Sequence, residues 1–319
     1  MCTTIGFKYK EGQVFGRTLE LGMVLDNKIL YVPKDSEIIK VSDGYLKTKY
    51  NCIGSGFFDV ASFGDGINEA GLMGSNNFFP KYASFAKEVV EDKINTTTAF
   101  AFDLLLTTCQ NVNEVKSLAK KINLVEGLNE EKSAANHFFF MDKNGNKVVL
   151  EPKDGKLLAY ENPVGVLTNA PSFDWHLTNL QNYVNLQASN IDETSYNDFK
   201  VSKFGEGSGM LGIPGDFTPP SRFIRASYFL SKTDKNLNRD QALLQGFRIL
   251  SQFDIPEGSI VDEKEKHEDQ TLYTSMIDTK TFTYHIKCHN NINIQSFSLN
   301  DYSKEKEIKF IQLEKKMEL

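Results

Sequence analysis

Alternating apolar and polar residues near the start of the chain predict a β-hairpin. Residues 4–8 and 14–17 alternate as half-buried strands do, and residues 10–12 between them have the composition of a turn. In an antiparallel pair joined by a short turn, the two outer strand ends lie side by side. The pattern therefore predicts that Cys2, at the beginning of the first strand, lies close to residues 17–20, at the end of the second.

Further strands are predicted where β-branched and aromatic residues are concentrated between turn residues. The clearest hairpin flanks Asn144-Gly145, a dipeptide that is typical of tight two-residue turns. Glycines at Gly64, Gly66 and Gly71 indicate additional tight turns. The predicted strands are 28–32, 50–54, 138–141, 147–151, 272–276 and 281–286.

Apolar residues at helical spacing predict two pairs of helices. Residues 174–204 are polar and mixed, which indicates a helix followed by a loop, and the charge-rich residues 304–319 indicate an exposed edge or tail. Blocks of strands separated by paired helices favour an α+β fold, with antiparallel sheets and helices packed outside them. Neither a linker nor a repeat interrupts the pattern, so residues 1–319 are predicted to form a single domain. The predicted helices are 96–110, 112–122, 222–231 and 242–253.

Charge and composition argue against two classes of partner. The 319 residues include 36 basic and 42 acidic side chains, for a formal net charge of −6, and no basic block stands beside aromatic residues, so nucleic-acid binding is not expected. The longest apolar runs, such as 99–106, are far shorter than the roughly 20 residues that cross a bilayer, so no membrane association is expected. No signal-peptide pattern follows Met1, and a cytoplasmic location is therefore expected.

The spacing of cysteines and histidines does not indicate a metal site. Four cysteines are scattered without a C-x-x-C pair, and we expect Cys52 and Cys109 to be small buried side chains. His285 and His289 are four residues apart, but they fall in a predicted strand and turn rather than on one helical face. Neither a phosphate-binding nor a dinucleotide-binding glycine motif occurs. We therefore expect no metal and no cofactor.

Cys2 combines two groups that together favour nucleophilic catalysis. Met1 is expected to be removed because the following side chain is small, and removal leaves Cys2 with both a thiol and a free α-amine. Their ordinary pKa values, about 8.5 and about 7.7–8.0, allow the amine to take a proton near neutral pH while the sulfur attacks. A nearby guanidinium favours the thiolate, and the hairpin brings Arg17 close enough to supply it. Taken alone, a cysteine at position 2 is more typical of a frayed terminus without function.

Five sequence blocks, in matching order, resemble the choloylglycine hydrolase family, which includes bile salt hydrolases and penicillin V acylases. The resemblance implies a four-layer αββα N-terminal-nucleophile hydrolase fold, in which two stacked antiparallel sheets lie between helix layers. It also implies hydrolysis of linear carbon–nitrogen amide bonds and assembly as a homotetramer. The blocks are residues 1–4 with 15–20, 65–72, 166–176, 212–225 and 273–276.

The resemblance implies roles for individual residues. Cys2 matches the nucleophile of the family, and Arg17 matches an arginine beside the thiol. Asn169, in a Thr-Asn-x-Pro motif, matches an asparagine whose side-chain amide helps form the oxyanion hole. Arg222 matches a second active-site arginine, although Arg225 lies three residues on and resembles it. Taken alone, Asn169 is also typical of a local turn before a proline, and Arg222 of a helix N-terminus on the surface.

Two positions depart from the family pattern. Glu20 stands where the family usually has an aspartate that holds the amine of the nucleophile, and its extra methylene changes where the charge lies. Phe78 aligns with the remaining oxyanion position, where bile salt hydrolases tend to have asparagine and penicillin acylases tyrosine. The main-chain N–H of Phe78 can still donate. Asn76 and Asn77 are close enough to complicate this alignment.

An aromatic and apolar set is the candidate wall of the substrate pocket, although these residues are equally typical of a core. Such a wall suits the apolar acyl group of a small N-acyl amide: a conjugated bile salt, penicillin V or a similar compound. Phe78 favours a substrate other than a typical bile salt. Two other functions remain open, a thiol redox protein that uses Cys2 and a non-catalytic ligand-binding relative. The candidate wall residues are Met23, Phe57, Phe58, Phe78, Phe79 and Tyr82.

Overall fold

The structure is a computed structural model that describes residues 1–23, 25–128, 130–264 and 266–315. Its strands, in chain order, are β1 (Cys2–Tyr9), β2 (Gly12–Leu21), β3 (Asn27–Val32), β4 (Glu37–Val41), β5 (Gly44–Lys47), β6 (Cys52–Phe57), β7 (Asp65–Asn68), β8 (Met73–Phe78), β9 (Ile94–Thr96), β10 (Ile122–Leu124), β11 (Gly127–Leu128), β12 (Glu131–Lys132), β13 (Asn136–Met141), β14 (Lys147–Lys153), β15 (Lys156–Glu161), β16 (Val166–Leu167), β17 (Glu193–Tyr196), β18 (Phe199–Ser202), β19 (Val261–Asp262), β20 (His267–Glu268), β21 (Gln270–Asp278), β22 (Thr283–Cys288), β23 (Asn291–Ser298) and β24 (Lys309–Gln312).

The four predicted helices are present, with shifted ends. In the second pair, Pro219 occupies the first turn of one helix, where its missing N–H has no intrahelical role, and Asn238 caps the other in a capping box with Gln241. Among the described residues, no helix has the length and apolar character needed to span a bilayer. The helices are α1 (Thr98–Thr108), α2 (Val112–Ala119), α3 (Phe173–Leu180), α4 (Pro219–Ser231) and α5 (Arg239–Leu250).

Two large antiparallel sheets form the centre of the molecule. The six-stranded sheet has the order β16-β1-β2-β21-β22-β23, and the eight-stranded sheet has the order β15-β14-β13-β8-β7-β6-β3-β24. The hairpin predicted at the start of the chain lies in the middle of the six-stranded sheet, where β2 pairs with both β1 and β21. The segment before residue 169 enters the same sheet as β16, beside β1.

Strand alternation in β13 divides the core into two layers. Phe139 and Met141 face the six-stranded sheet, and Phe138 and Phe140 face the opposite way, toward α1 and α2. Helices α4 and α5 cover the outer face of the six-stranded sheet. The order of layers is therefore helix, sheet, sheet, helix, which confirms the α+β and αββα expectation.

Three sequence predictions need correction or completion. Residues 64–66 do not form a tight turn, because β7 begins at Asp65, and Gly66 instead allows close backbone approach: a Cβ there would lie 2.7 Å from the carbonyl oxygen of Ile53. Gly71 does occupy a turn, with φ +91°. Residues 174–204 contain the hairpin β17–β18, which we did not predict. The charged C-terminal segment contributes β24 as an edge strand, and residues 316–319 lie outside the described residues.

Asp103 on α1 is a fully buried carboxyl whose Oδ1 accepts the main-chain N–H of Phe63 at 2.9 Å. Burial raises its pKa to about 7. Because the folded state then keeps a proton that the unfolded chain releases near pH 4, stability should fall as the pH rises from about 4 to about 7, by up to about 4 kcal/mol. We expect Asp103→Asn to flatten this dependence. Urea unfolding at pH 5 and pH 8 measures the free energy of unfolding of both proteins. An equal change between the two pH values in the parent and in Asp103→Asn would contradict the raised pKa of Asp103.

Candidate active site

The β1–β2 hairpin brings the thiol of Cys2 against the guanidinium of Arg17. Cys2 pairs with Leu19, and Thr4 pairs with Arg17, so the side chains of Cys2 and Arg17 lie on the same face of the sheet. Arg17 Nη2 donates to Cys2 Sγ at 2.6 Å. The sequence predicted this proximity from the hairpin alone.

Arg17 is held in place by two main-chain oxygens, one directly before β7 and one in β8. Its Nη1 donates to the carbonyl oxygens of Gly64 at 3.0 Å and Asn76 at 2.8 Å. Burial by itself disfavours the charge, but Cys2, Tyr273, Asp65 and Glu20 outweigh it and raise the pKa of Arg17. A permanent positive charge therefore lies in contact with the sulfur.

Asn169 and Arg222 lie on the main-chain side of Cys2. Asn169 Oδ1 accepts the main-chain N–H of Cys2 at 3.0 Å and Arg222 Nη2 at 2.7 Å, and its Nδ2 donates to the carbonyl oxygen of Phe78 at 2.7 Å. Arg222 also donates to the carbonyl oxygen of Cys2, and to Thr3 Oγ1 at 2.8 Å. These bonds join residues 2, 78, 169 and 222, which are distant in sequence, into one site.

Arg225 does not share this position. It donates to the carbonyl oxygens of Pro214 and Asp216 and stacks over the ring of Phe253. Of these two arginines, Arg222 is therefore the one that contacts Cys2 and Asn169. Burial lowers the pKa of Arg222, an effect that Glu20 and Cys2 partly offset. Arg222 is completely buried, so it is not a surface residue at a helix end.

Glu20 is completely buried, and neither of its carboxylate oxygens has a hydrogen-bond partner among the described residues. Its backbone holds Met1: the terminal amine donates to the carbonyl oxygen of Glu20, and the N–H of Glu20 donates to the carbonyl oxygen of Met1 at 2.9 Å. An unpaired buried carboxylate is costly. With Met1 attached, the carboxylate of Glu20 is therefore near the charges of Arg17 and Arg222 but lacks a hydrogen-bond donor among the described residues.

A cavity of about 420 Å³ opens onto Cys2 and Arg17. Ser62, Gly64, Asn76 and Asn136 provide its other polar or small surfaces, and most of its wall is apolar. Arg17 is the one charged residue among those described along this wall. The cavity suits an apolar group next to the thiol. The apolar lining residues are Leu19, Leu21, Leu25, Phe57, Phe58, Val60, Phe63 and Phe78.

The candidate wall residues divide into two groups. Phe57, Phe58 and Phe78 line this cavity, whereas Met23 is exposed outside it. Phe79 follows Phe78, so it points to the other side of the chain, where it lines a separate cavity with Tyr82. The expected position of Met23, Phe79 and Tyr82 beside the thiol is therefore not observed.

Asn77 is also absent from the described lining of the cavity. It is completely buried between the sheets, where its Oδ1 accepts the hydroxyl of Thr4 at 3.0 Å and its Nδ2 donates to the carbonyl oxygen of Thr168 at 3.0 Å. Neighbouring Asn76 does line the cavity, and Phe78 does so through an exposed ring. Because side chains alternate along β8, Asn76 and Phe78 face the cavity while Asn77 faces the interior. The sequence alignment alone could not distinguish these three positions.

Sequence reasoning missed a buried carboxylate behind Arg17. Asp65 accepts the hydroxyls of Ser275 at 2.6 Å and Tyr284 at 2.7 Å, and also that of Ser55. Its charge contributes to the raised pKa of Arg17. The signal was the aspartate at the start of a family block, but two of its partners, Ser275 and Tyr284, lie more than 200 residues away, on the other sheet.

The three remaining thiols are buried and differ from Cys2 in their surroundings. Burial raises the pKa of Cys109 to about 12 and that of Cys288 to about 11, and it raises the pKa of Cys52 as well. None of the four cysteines forms a disulfide. Burial of Cys52 and Cys109 confirms the expectation for them. Within the part of the chain that is described, no group of three or more His, Cys, Asp or Glu side chains could hold a metal ion.

Comparison with known proteins gives consistent matches over nearly the whole chain. The model of the linear amide C–N hydrolases of the choloylglycine hydrolase family matches residues 2–307. A bile salt hydrolase/transferase of Clostridium perfringens is 34% identical over 306 residues, covering 94% of this chain and 93% of that protein. A penicillin V acylase of Pectobacterium atrosepticum is 25% identical over 265 residues, covering 74% and 63%.

A solved structure extends the similarity to three dimensions. The crystal structure of a variant of conjugated bile acid hydrolase from Clostridium perfringens has a TM-score of 0.92 and 31% identity, and the match covers 100% of this chain and 99% of that one.

Proposed function

Because the chain belongs to the choloylglycine hydrolase family of linear amide C–N hydrolases, we propose that it cleaves the amide bond of conjugated bile salts with Cys2 as the nucleophile. The observation that carries the proposal is the contact of Arg17 Nη2 with Cys2 Sγ, 2.6 Å, at the bottom of an apolar cavity. Relatives named as bile salt hydrolases support this substrate class.

The first step is the removal of Met1. While Met1 is attached, the nitrogen of Cys2 belongs to a peptide bond and cannot take a proton. Its removal frees an α-amine that remains beside Asn169 Oδ1, which already accepts the N–H of Cys2. It also frees the main-chain groups of Glu20 that hold Met1, and the new α-amine is a suitable hydrogen-bond donor to the carboxylate of Glu20.

The chemistry then proceeds by acyl transfer. The α-amine takes the proton of the thiol, and the sulfur attacks the carbonyl carbon, so that a tetrahedral oxyanion forms. The resulting ammonium gives its proton to the substrate nitrogen as the C–N bond breaks, which releases the free amine and leaves a thioester. Water, activated by the same α-amine, then attacks the thioester and releases the carboxylic acid with the restored thiol.

Two donors are suited to the oxyanion. Asn169 Nδ2 carries two hydrogens and donates to one described acceptor, the carbonyl oxygen of Phe78, so the second hydrogen is available. The main-chain N–H of Phe78 needs no particular side chain, and the bond to Asn169 keeps the two groups together. Arg17 stabilises the thiolate, and Arg222 fixes both Asn169 and the main chain of Cys2.

The cavity supports an apolar acyl group and a polar leaving amine. Its apolar wall suits a steroid or aromatic acyl part, whereas the described lining offers no charged side chain except Arg17, so an anionic leaving group belongs at the open mouth. Penicillin V is the second candidate substrate. It is favoured by Phe78, which adds an exposed aromatic ring to the cavity where bile salt hydrolases tend to have asparagine.

A substrate panel tests the proposal. Purified protein is incubated with glycocholate, taurocholate and penicillin V, and the released amines are quantified. We expect both bile salts to be cleaved with a higher kcat/KM than penicillin V. Cleavage of penicillin V alone would replace the first substrate by the second. Binding of these compounds without any turnover would instead identify a ligand-binding relative and overturn the enzymatic proposal.

Glu20→Asp should retain or increase the turnover of the enzyme. While Met1 is attached, the carboxylate is buried without a hydrogen-bond partner among the residues that the structure describes, and aspartate keeps the charge that we assign to holding the α-amine. Glu20→Gln is the matched control, since it keeps the shape and removes the charge, and we expect it to lower kcat by at least about tenfold. Steady-state kinetics with glycocholate measure both. Loss of activity in a folded Glu20→Asp variant would show that the longer side chain is required.

We also propose that the protein is a homotetramer. Large apolar side chains are exposed in the segment around the β17–β18 hairpin, and such patches are typical of interfaces. Light scattering coupled to gel filtration should give four times the chain mass, and the double substitution Tyr196→Glu and Phe199→Glu should dissociate the assembly. A monomer at all concentrations would contradict the proposal. The exposed side chains are Val184, Ile191, Tyr196, Phe199, Phe204 and Leu211.

We also propose that the protein is cytoplasmic and that it forms a single domain. A cytoplasmic location is supported by the four free cysteines, which are typical of a reducing compartment. A single domain is supported by the packing of the two core layers on opposite faces of the eight-stranded sheet. Fractionation of cells and limited proteolysis test these two points.

A further inference from the structure

A buried histidine–glutamate pair lies behind the segment that carries Asn169. His137 is completely buried and Glu151 is nearly so. His137 Nε2 lies 3.2 Å from the carbonyl oxygen of Thr168, and its Nδ1 lies 3.4 Å from Glu151 Oε1. The same oxygen of Glu151 accepts the main-chain N–H of Phe173 at 2.8 Å. The pair therefore contacts the chain on both sides of Asn169.

The partners of His137 determine where its protons lie. Both ring nitrogens face acceptors, a carbonyl oxygen at Nε2 and a carboxylate oxygen at Nδ1. Nε2 must carry a hydrogen, because its lone pair would otherwise face that of Thr168. The other edge of the ring, at Nδ1, faces the buried carboxylate of Glu151 at 3.4 Å.

Other buried side chains hold the same segment. His176 Nε2 lies 2.9 Å from the carbonyl oxygen of Asn169, and burial lowers the pKa of His176 to about 4, so the neutral ring donates from Nε2. The ring of Phe79 stacks on His137 with centroids 4.2 Å apart, which fixes the plane of the imidazole. Consecutive carbonyl oxygens, of residues 168 and 169, are thus each held by a buried histidine.

We propose that His137 and Glu151 are positioning residues, which set the orientation of the Asn169 amide through Thr168 and Phe173. This inference rests on the proposed amide hydrolysis, because it assigns the pair to the oxyanion donor. Neither side chain lines the cavity beside Cys2. Displacement of a catalytic group by about 1 Å can cost on the order of 10²-fold in rate, even when the group itself is unchanged. The effect should therefore fall on kcat rather than on substrate binding.

Substitutions at His137 separate the donor from the bulk of the ring. His137→Phe keeps the ring and its stacking on Phe79 but removes the hydrogen bond, and we expect kcat for glycocholate to fall by roughly 10- to 100-fold with KM changed less than about threefold. His137→Gln restores a donor and should recover most of the loss. His285→Phe is the matched control, a buried histidine on β22 that contacts Ser296 and Arg239, and it should stay within about twofold of the parent.

The proposal would be overturned if His137→Phe and His285→Phe both lowered kcat, or if neither of them did. Nitrogen-15 NMR of histidine-labelled protein provides a readout that is independent of substrate. We expect the Nε2 of His137 to be protonated in the parent protein and in Glu151→Gln, since Nε2 faces the carbonyl oxygen of Thr168 in both. An unprotonated Nε2 would show that His137 does not donate to Thr168, and would refute the proposed positioning role. If the parent protein cleaves none of the amides, the proposed function fails, while the NMR result still decides the arrangement of the pair.

Discussion

Cys2→Ser is expected to lower kcat/KM for amide hydrolysis by at least about 10³-fold while the protein stays folded. A serine hydroxyl has nearly the same size as the thiol, but it does not ionise near neutral pH and gains little from the guanidinium of Arg17. The main-chain bonds that Cys2 makes to Asn169 and Arg222 do not involve the sulfur, so the surrounding site should persist.

Turnover of glycocholate and the thermal midpoint of unfolding are measured together. Cys288→Ser is the matched control, since that thiol is also buried but does not line the cavity beside Cys2. We expect the control to retain its activity. Equal turnover by Cys2→Ser and the parent protein, on every amide that is cleaved, would eliminate the thiol mechanism.

Asn169→Ala should produce the second largest loss of activity, about 10²- to 10³-fold in kcat, which is typical for one oxyanion donor. The substitution also leaves Cys2 N–H and Arg222 Nη2 without their shared acceptor, at about 1–3 kcal/mol for a buried group. The protein should therefore be less stable but still folded.

Asn169→Asp distinguishes the two roles of this side chain. Aspartate retains an acceptor for Cys2 and Arg222 and removes the Nδ2 donor, so kcat should fall as far as it does in the alanine variant while stability is closer to that of the parent. Single-turnover rates and urea unfolding measure the two effects. Unchanged rates in a folded Asn169→Ala variant would refute the oxyanion role.

Local patterns predicted the part of the site that local structure forms. The hairpin alone brought Cys2 to Arg17, because antiparallel register follows directly from strand alternation and a short turn. Asn169 and Arg222 could be identified from motifs but not placed, since their contact with Cys2 depends on how β16 and α4 meet β1. Their positions required the complete fold.

Residues that depend on stacking of the two sheets were not predictable from the chain. Asp65 accepts hydrogen bonds from Ser275 and Tyr284 of the other sheet. Neither their separation in sequence nor their residue types predict these contacts. Phe79 and Tyr82 had the composition of a pocket wall, but the chain turns after β8 ends at Phe78, and both residues line a separate cavity. The β17–β18 hairpin was missed because no face of it is buried, so the usual alternation is absent.

The intact mass of the purified, active protein tests the central claim most directly. Proton transfer to the α-amine of Cys2 requires that amine to be free, and Met1 blocks it. We predict a mass lower than that of the translated chain by one methionine residue, and a further increase by one acyl group on Cys2 when the protein is quenched during turnover of glycocholate. A fully active protein that retains Met1 would contradict the account.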